Sequence, residues 1–222
     1  MRRQLASMAA AVAGTVLATA SAAHAAPAVR APIRTFVDNT SIRFSGIDWY
    51  SRDYYDYRIV RTPRLAECGV HGFASSAHPG ESIAGHGDVC VVNGTYYSGL
   101  FGHHNWTSTK LSAADQKEDG ESADPYYTLA MFLKIPGVAV ASPGHYQVTC
   151  AVGQISAFLN WDYGVTKSAL AKYGIASVTA SFWLNSSGRP VKDTITGQSS
   201  HTRLSAVETF TKYNDPLIVK AP

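Results

Sequence analysis

The sequence predicts an all-β, antiparallel fold of the β-sandwich type, immunoglobulin-like or jelly-roll-like, with long loops and one or two short helices. Three observations carry this expectation. Apolar residues recur at every second position in Tyr146, Val148, Cys150, Val152 and again in Ala176, Val178, Ala180, Phe182, Leu184. That is the period of a half-buried strand. Such stretches are short and separated by Gly, Pro and Asn clusters, and helical signals are few.

The elements follow in chain order. Arg2 and Arg3 precede an uncharged, Ala-rich run from Leu5 to Ala23, and Ala23-His24-Ala25 offers small residues where a signal peptidase reads. This order is that of a secretory signal peptide over residues 1–25. A twin-arginine signal is a looser match. Residues 26–33, with two prolines, read as a linker, and 34–222 as a single β-sandwich domain. Two small β-domains, divided at the polar stretch Ser112–Asp124, are the alternative. Ile42 and Phe44 alternate with polar neighbours. Val89–Val92 runs into Asn93-Gly94 and then Thr95-Tyr96-Tyr97. Asn-Gly between β-formers signals a hairpin, because both central residues of a type I′ turn need positive φ. Tyr126–Ile135 is a nearly continuous apolar run ended by Pro136-Gly137, and Ile155, Ala157, Leu159 and Trp161 read as a further strand. Asn185–Pro190 turns the chain into Val191–Thr196. Two short helices are expected, one from Ser112-Ala-Ala-Asp115 as a capping box and one over Thr166–Tyr173 with Gly174 as its stop.

Ser142-Pro-Gly-His-Tyr-Gln-Val-Thr-Cys-Ala-Val152 resembles the Gly-x-Tyr-x-Val stretch near the end of bacterial immunoglobulin-like modules of the PKD type. The resemblance covers 11 of 222 residues. It implies a Tyr at a strand corner with the next strand in the core, hence a β-sandwich, and it implies no activity. Gly153–Pro222 departs from that family, whose modules end soon after this strand.

Composition narrows the function classes. The chain carries a formal net charge of +3, with 45% hydrophobic and only 16% charged residues. Removal of the leader takes away two of the 19 basic residues and none of the 16 acidic ones. The remaining balance gives no nucleic-acid footprint. Beyond the leader no run is long and apolar enough for a spanning helix. An exported, secreted or periplasmic protein meets oxidising conditions, so a disulfide is expected among Cys68, Cys90 and Cys150. Loop entropy does not choose the pair: about 22 residues gives roughly 3.4 kcal/mol and about 60 gives roughly 4.3. Cys150 sits on the apolar face of a strand, where a free thiol behaves as a small hydrophobe. Cys68 and Cys90 flank Gly69–Asp88, a stretch with no clear period that reads as an irregular loop. Cys68–Cys90 is therefore expected, with Cys90–Cys150 around Trp106 as the rival.

Five of eight histidines fall in one stretch: His71, His78, His86, His103 and His104, with Glu81 and Asp88 among them. Imidazole is the commonest metal ligand, so His71, His78, His86 and His103 are candidate copper or zinc ligands. The spacing matches no zinc motif, and His in Gly-rich loops also serves as a neutral polar residue. Ser75, Ser76 and Ser82 accompany them, without the Gly-x-Ser-x-Gly elbow of a hydrolase. The acidic residues Asp115, Glu118, Asp119, Glu121 and Asp124 fail the EF-hand register and read as a solvated loop. Trp49, Tyr50, Tyr54, Tyr55 and Tyr57 pack five rings into nine residues, interleaved with Arg52, Asp53, Asp56 and Arg58. Rings with a polar handle suit recognition surfaces; packing of rings across strands is the plainer explanation. The resulting expectation is a secreted, non-catalytic β-sandwich protein that binds at the cell surface or to carbohydrate or cell-wall material through these rings, with no cofactor. The alternative is a secreted hydrolase or metalloenzyme using the 71–104 region; a secreted toxin or interaction protein on the same scaffold is the third.

Overall fold

A computed structural model describes residues 32–46, 50–61, 65–76, 83–100 and 105–222; the expected leader and most of the expected linker lie outside them. Eleven strands form one antiparallel sheet. In chain order they are β1 (Thr35–Ser45), β2 (Tyr50–Val60), β3 (Ala66–Ser76), β4 (Ile83–Val92), β5 (Thr95–Leu100), β6 (Thr107–Lys110), β7 (Ala139–Ser142), β8 (His145–Ala151), β9 (Ser177–Leu184), β10 (Pro190–Gln198) and β11 (Arg203–Thr211). Their spatial order is β6-β5-β4-β3-β2-β1-β11-β10-β9-β8-β7. The first and last strands meet in the middle, and each half is a meander running from the centre to an edge.

Four helices complete the fold: α1 (Ala113–Ser122) and α2 (Pro125–Phe132) between the two edge strands, and α3 (Val152–Tyr163) and α4 (Lys167–Lys172) between β8 and β9. The β-rich, antiparallel expectation with short helices is met. The expectation of two stacked sheets is corrected: all described strands share one sheet, and the layer packed on it is helical. No immunoglobulin-like or jelly-roll strand order is present among them. Phe132 and Phe158 of the helices and Phe182, Ile195, Leu204, Ala206 and Phe210 of the strands are buried in one core. Phe132 packs edge-to-face on Phe158, with ring centroids 5.6 Å apart, and lies 5.4 Å from Phe182.

Local chemistry explains most element ends. Asn93 (φ 53°) and Gly94 (φ 69°) make the β4–β5 turn, as a type I′ turn requires. Ser112 caps α1 reciprocally: its Oγ accepts from the Asp115 N–H at 3.2 Å, and Asp115 accepts from the Ser112 N–H at 3.1 Å. Thr166 caps α4 by accepting from the Ala169 N–H at 3.2 Å. Because α4 buries Leu170 completely, its cap is coupled to the core. Thr166→Ala is expected to lower unfolding free energy by about 1 kcal/mol, read from the urea midpoint at unchanged slope; an unaltered midpoint would show that the cap contributes nothing.

Three segments depart from the sequence reading. Tyr126–Ile135, read only as an apolar run, supplies most of α2: Asp124 accepts from the Tyr126 N–H at 3.0 Å and Pro125 occupies the first turn, where its missing N–H is harmless. The 155–161 stretch is helical as well. Val152, Ile155, Phe158, Leu159 and Tyr163 are its buried residues, which is the spacing of a helix stripe and not of alternation. Gly69–Asp88, read as an irregular loop, contributes β3 and β4. Its glycines lack the apolar lane a strand normally shows because rings from neighbouring strands fill that space. A Cβ on Gly72 would lie 2.1 Å from the Tyr54 ring, and one on Gly85 2.6 Å from Phe73.

The expected disulfide joins Cys68 to Cys90, directly opposite each other on β3 and β4. Cys150 is free and buried. No described helix is long and apolar enough to cross a membrane.

Candidate functional site

Strand pairing sets the site. Phe36, Asp38, Thr40 and Ile42 alternate along β1 and face the helical layer together with Leu204, Ala206, Glu208 and Phe210 of β11. Thr40 pairs with Glu208, and Glu208 with Asp193 of β10. Three adjacent strands thus carry polar groups side by side where apolar lanes would otherwise continue. The last turn of α3 brings Asp162 and Tyr163 onto the same spot. Ligand oxygens of Asp162, Asp193 and Glu208 lie within 4.8 Å of one another. Glu208 is within hydrogen-bonding reach of Asp38, Asp162 and Asp193. Tyr163 donates to Asp193, and Thr40 to Asp38 at 3.2 Å.

The electrostatics are unusual. Among the described residues the ion pairs are Arg61–Asp124 and Lys117–Glu121, so no basic side chain neutralises this cluster. Removal from water disfavours the charged form of a carboxyl group. Burial pushes Asp38 up to about 6 and Asp193 up to about 7. Glu208 and Asp162 are held well above the ordinary carboxylate range, first by burial and then by neighbouring carboxylates. Burial, then the carboxylates around it, raises the Tyr163 hydroxyl too.

A cavity of about 280 Å³ opens beside the cluster, with Tyr55, Tyr57, Glu67 and Trp161 in its wall as well as Asp38 and Asp162. It adjoins a second hollow of about 250 Å³ on the inner face of β2–β5, bounded by Tyr55, Tyr57, Glu67, His71, Val89 and Tyr96. Tyr55, Tyr57 and Glu67 belong to both. The rings are ordered: Tyr55 stacks on His71 at 4.4 Å and lies 6.0 Å from Tyr57. Phe73 and Tyr96 on this face are 45% and 37% exposed, whereas the β8–β11 half is sealed by helices. His71 Nε2 is buried without a hydrogen-bond partner among the described residues. Burial, followed by Asp119 and Asp38, pushes Glu67 to about 7.

The sequence-predicted residues divide as follows. The pleat of β2 splits the five-ring run. Tyr55 and Tyr57 line the inner hollow, while Tyr50 and Tyr54 lie on the outer face, beneath Arg43 and Arg52 at 5.3 and 5.5 Å. Trp49 lies outside the described residues. Of the proposed metal-binding histidines, His78 and His103 also lie outside them. His71 pairs with Gly87 and His86 with Gly72, so the two stand on different register pairs. Among the described residues the group able to hold a metal is Asp162, Asp193 and Glu208. Asp38, Asp162, Asp193 and Glu208 were not singled out from sequence. A signal for three of them existed: each acid interrupts a period-two lane, as Glu208 does between Ala206 and Phe210. A charged residue inside an apolar lane marks either an exposed edge or a buried polar site.

The fold and site define a single-sheet β protein with a helical layer over one half and an open, ring-lined hollow over the other. No family model matches the chain, and no curated protein matches it in sequence. Among solved structures, the chain is similar to the lipoprotein LppX of Mycobacterium tuberculosis at 15% identity, over 85% of this chain and 90% of that one, with a TM-score of 0.44. It is also similar to a β-barrel-like protein of a domain of unknown function from Brucella abortus, at 8% identity over 86% and 100%, with a TM-score of 0.19. At TM-scores below 0.5 neither likeness carries an argument about function.

Proposed function

We propose that this chain is an exported, non-catalytic binding protein. Its ligand is a small amphiphile with an apolar body and a hydroxyl-bearing head, seated on the inner face of β2–β5. The observation that carries the reading is the uncovered apolar face itself: Phe73 and Tyr96 stand exposed beside a hollow in which His71 Nε2 lacks a partner among the described residues. Concave, mainly apolar surfaces with a few convergent polar groups are the usual form of small-ligand sites. The body rests on Val89, Tyr96 and Phe73, and the head reaches His71 and Glu67. The Cys68–Cys90 disulfide and the leader over residues 1–25 support a place outside the cytoplasm. Carbohydrate or cell-wall material is the second reading, favoured by the stacked Tyr55–His71 pair with the Glu67 carboxyl beside it.

Titration with an acyl-chain fluorophore tests the first reading. One saturable site is expected, weakened about tenfold or more in Phe73→Ala with Tyr96→Ala, as loss of two well-packed rings requires. A protein that takes up no fluorophore but retains a soluble glycan, and loses it in Tyr55→Ala, would transfer the site to the second reading. Binding of neither would sink both.

A further inference from the structure

The carboxylate cluster lies beside the ring-lined hollow and forms no part of the ligand seat described for it. We propose that Asp162, Asp193 and Glu208 form a binding site for a hard divalent cation of the calcium class, buried between α3 and the centre of the sheet. The donor set is all oxygen, which suits calcium, magnesium or manganese and not copper or zinc. Calcium–oxygen distances of about 2.3–2.6 Å allow ligands up to about 5 Å apart in one shell, and the three donors lie within 4.8 Å of one another.

An acidic cluster alone would not assign a site. Two further observations do. Asp193 is 0% exposed and Glu208 6%, and Asp193 Oδ2 and Glu208 Oε2 find no hydrogen-bond donor among the described residues, their near neighbours being other carboxyls. Buried carboxylate oxygens without partners are costly, and a cation satisfies all of them at once. The adjoining cavity, walled by Asp38 and Asp162, provides room for the waters that complete a calcium shell of six to eight oxygens. Tyr163 orients Asp193 through its hydrogen bond, and Thr40 does the same for Asp38; both are positioning residues. Bound there, the ion ties the last turn of α3 to β10 and β11.

The full chain, stripped with a chelator and held at pH 7.5, provides the test. Terbium is the optical probe, because Tyr163 and Trp161 lie close enough to sensitise its emission. One saturable terbium site is expected, displaced by calcium, with affinity reduced tenfold or more in Glu208→Gln and in Asp193→Asn. Glu118→Gln, on the exposed surface of α1, is expected to leave it unchanged. Calcium at a hundredfold excess over its Kd should raise the melting temperature of the wild type by about 5–10 °C. Both substitutions remove charge repulsion and keep side-chain shape; if either variant fails to fold, Asp162→Asn replaces it. No calcium binding below about 10 mM, or terbium binding that survives the cluster substitutions, would overturn the site and leave the carboxyls held by shared protons. Fluorophore binding by a calcium-free protein would still support the ligand seat, so the two proposals fail separately.

Discussion

Glu67→Gln is expected to stabilise the protein at pH 8 and to leave it nearly unchanged at pH 4. Glu67 lies on the inner face of β3 against Tyr57, with Asp38 on β1, Tyr96 on β5 and Asp119 on α1 around it, and its folded pKa stands at about 7 against 4.5 for the free group. The folded state therefore holds the proton more tightly than the unfolded chain. Linkage gives the sign: stability from this group is fully present below pH 4.5, falls as pH rises, and is lost once pH passes about 7. The slope is about 1.4 kcal/mol per pH unit between these limits, so the neutral amide recovers at most about 3 kcal/mol at pH 8. Urea unfolding of both proteins at pH 4, 6 and 8, with chelator present throughout, measures it. A variant equally affected at all three pH values would show that Glu67 is not forced to ionise in the folded protein.

Breaking the Cys68–Cys90 bond has the second large effect. The bond closes a loop of 22 residues, and constraint of the unfolded chain over such a loop stabilises the fold by about 3.4 kcal/mol. For a domain of this size each kcal/mol is worth about 2–4 °C. The paired substitution Cys68→Ser, Cys90→Ser should thus lower the melting temperature by about 7–14 °C. Because the paired positions Cys68 and Cys90 alternate with Glu67, Val89 and Val91 of the hollow, the bond lies on the outer face of the sheet, and fluorophore binding at 20 °C below the melting point should persist. A melting temperature unmoved by substitution would mean that the β3–β4 hairpin is already ordered in the unfolded chain.

Capping and turn chemistry were legible because they are local. Ser112 with Asp115, Thr166 before α4, and Asn93-Gly94 each satisfy backbone groups within four residues, so the signal and its consequence sit together in sequence. Alternation in β8 and β9 was legible for a related reason: one face of each strand is buried and the other is not. The β3–β4 region was not, because its missing bulk is supplied by rings directly opposite its glycines on the paired strand: Tyr54 across from Gly72, Tyr57 from Gly69 and Phe73 from Gly85. α2 was obscured by burial: a helix wrapped in apolar neighbours loses the polar stripe that identifies it, and a short apolar run then looks the same in either conformation. α3 keeps its exposed face at Gln154, Ala157 and Asn160, but Ile155, Ala157, Leu159 and Trp161 mimic alternation within it.

Local pattern alone specifies an antiparallel, β-rich chain with its Asn93-Gly94 turn and two of its helix caps, since these depend on neighbours in the chain or on the side of a strand a residue occupies, whereas the choice of Cys68–Cys90 over Cys90–Cys150 follows from β3–β4 register. Long-range packing makes the strands one sheet with a helical cover, parts Tyr55 and Tyr57 from Tyr50 and Tyr54, and brings Asp162, Asp193 and Glu208 together. Those outcomes depend on which strands lie side by side. Pairing of β1 with β11 joins residues some 170 positions apart, and no local pattern encodes it.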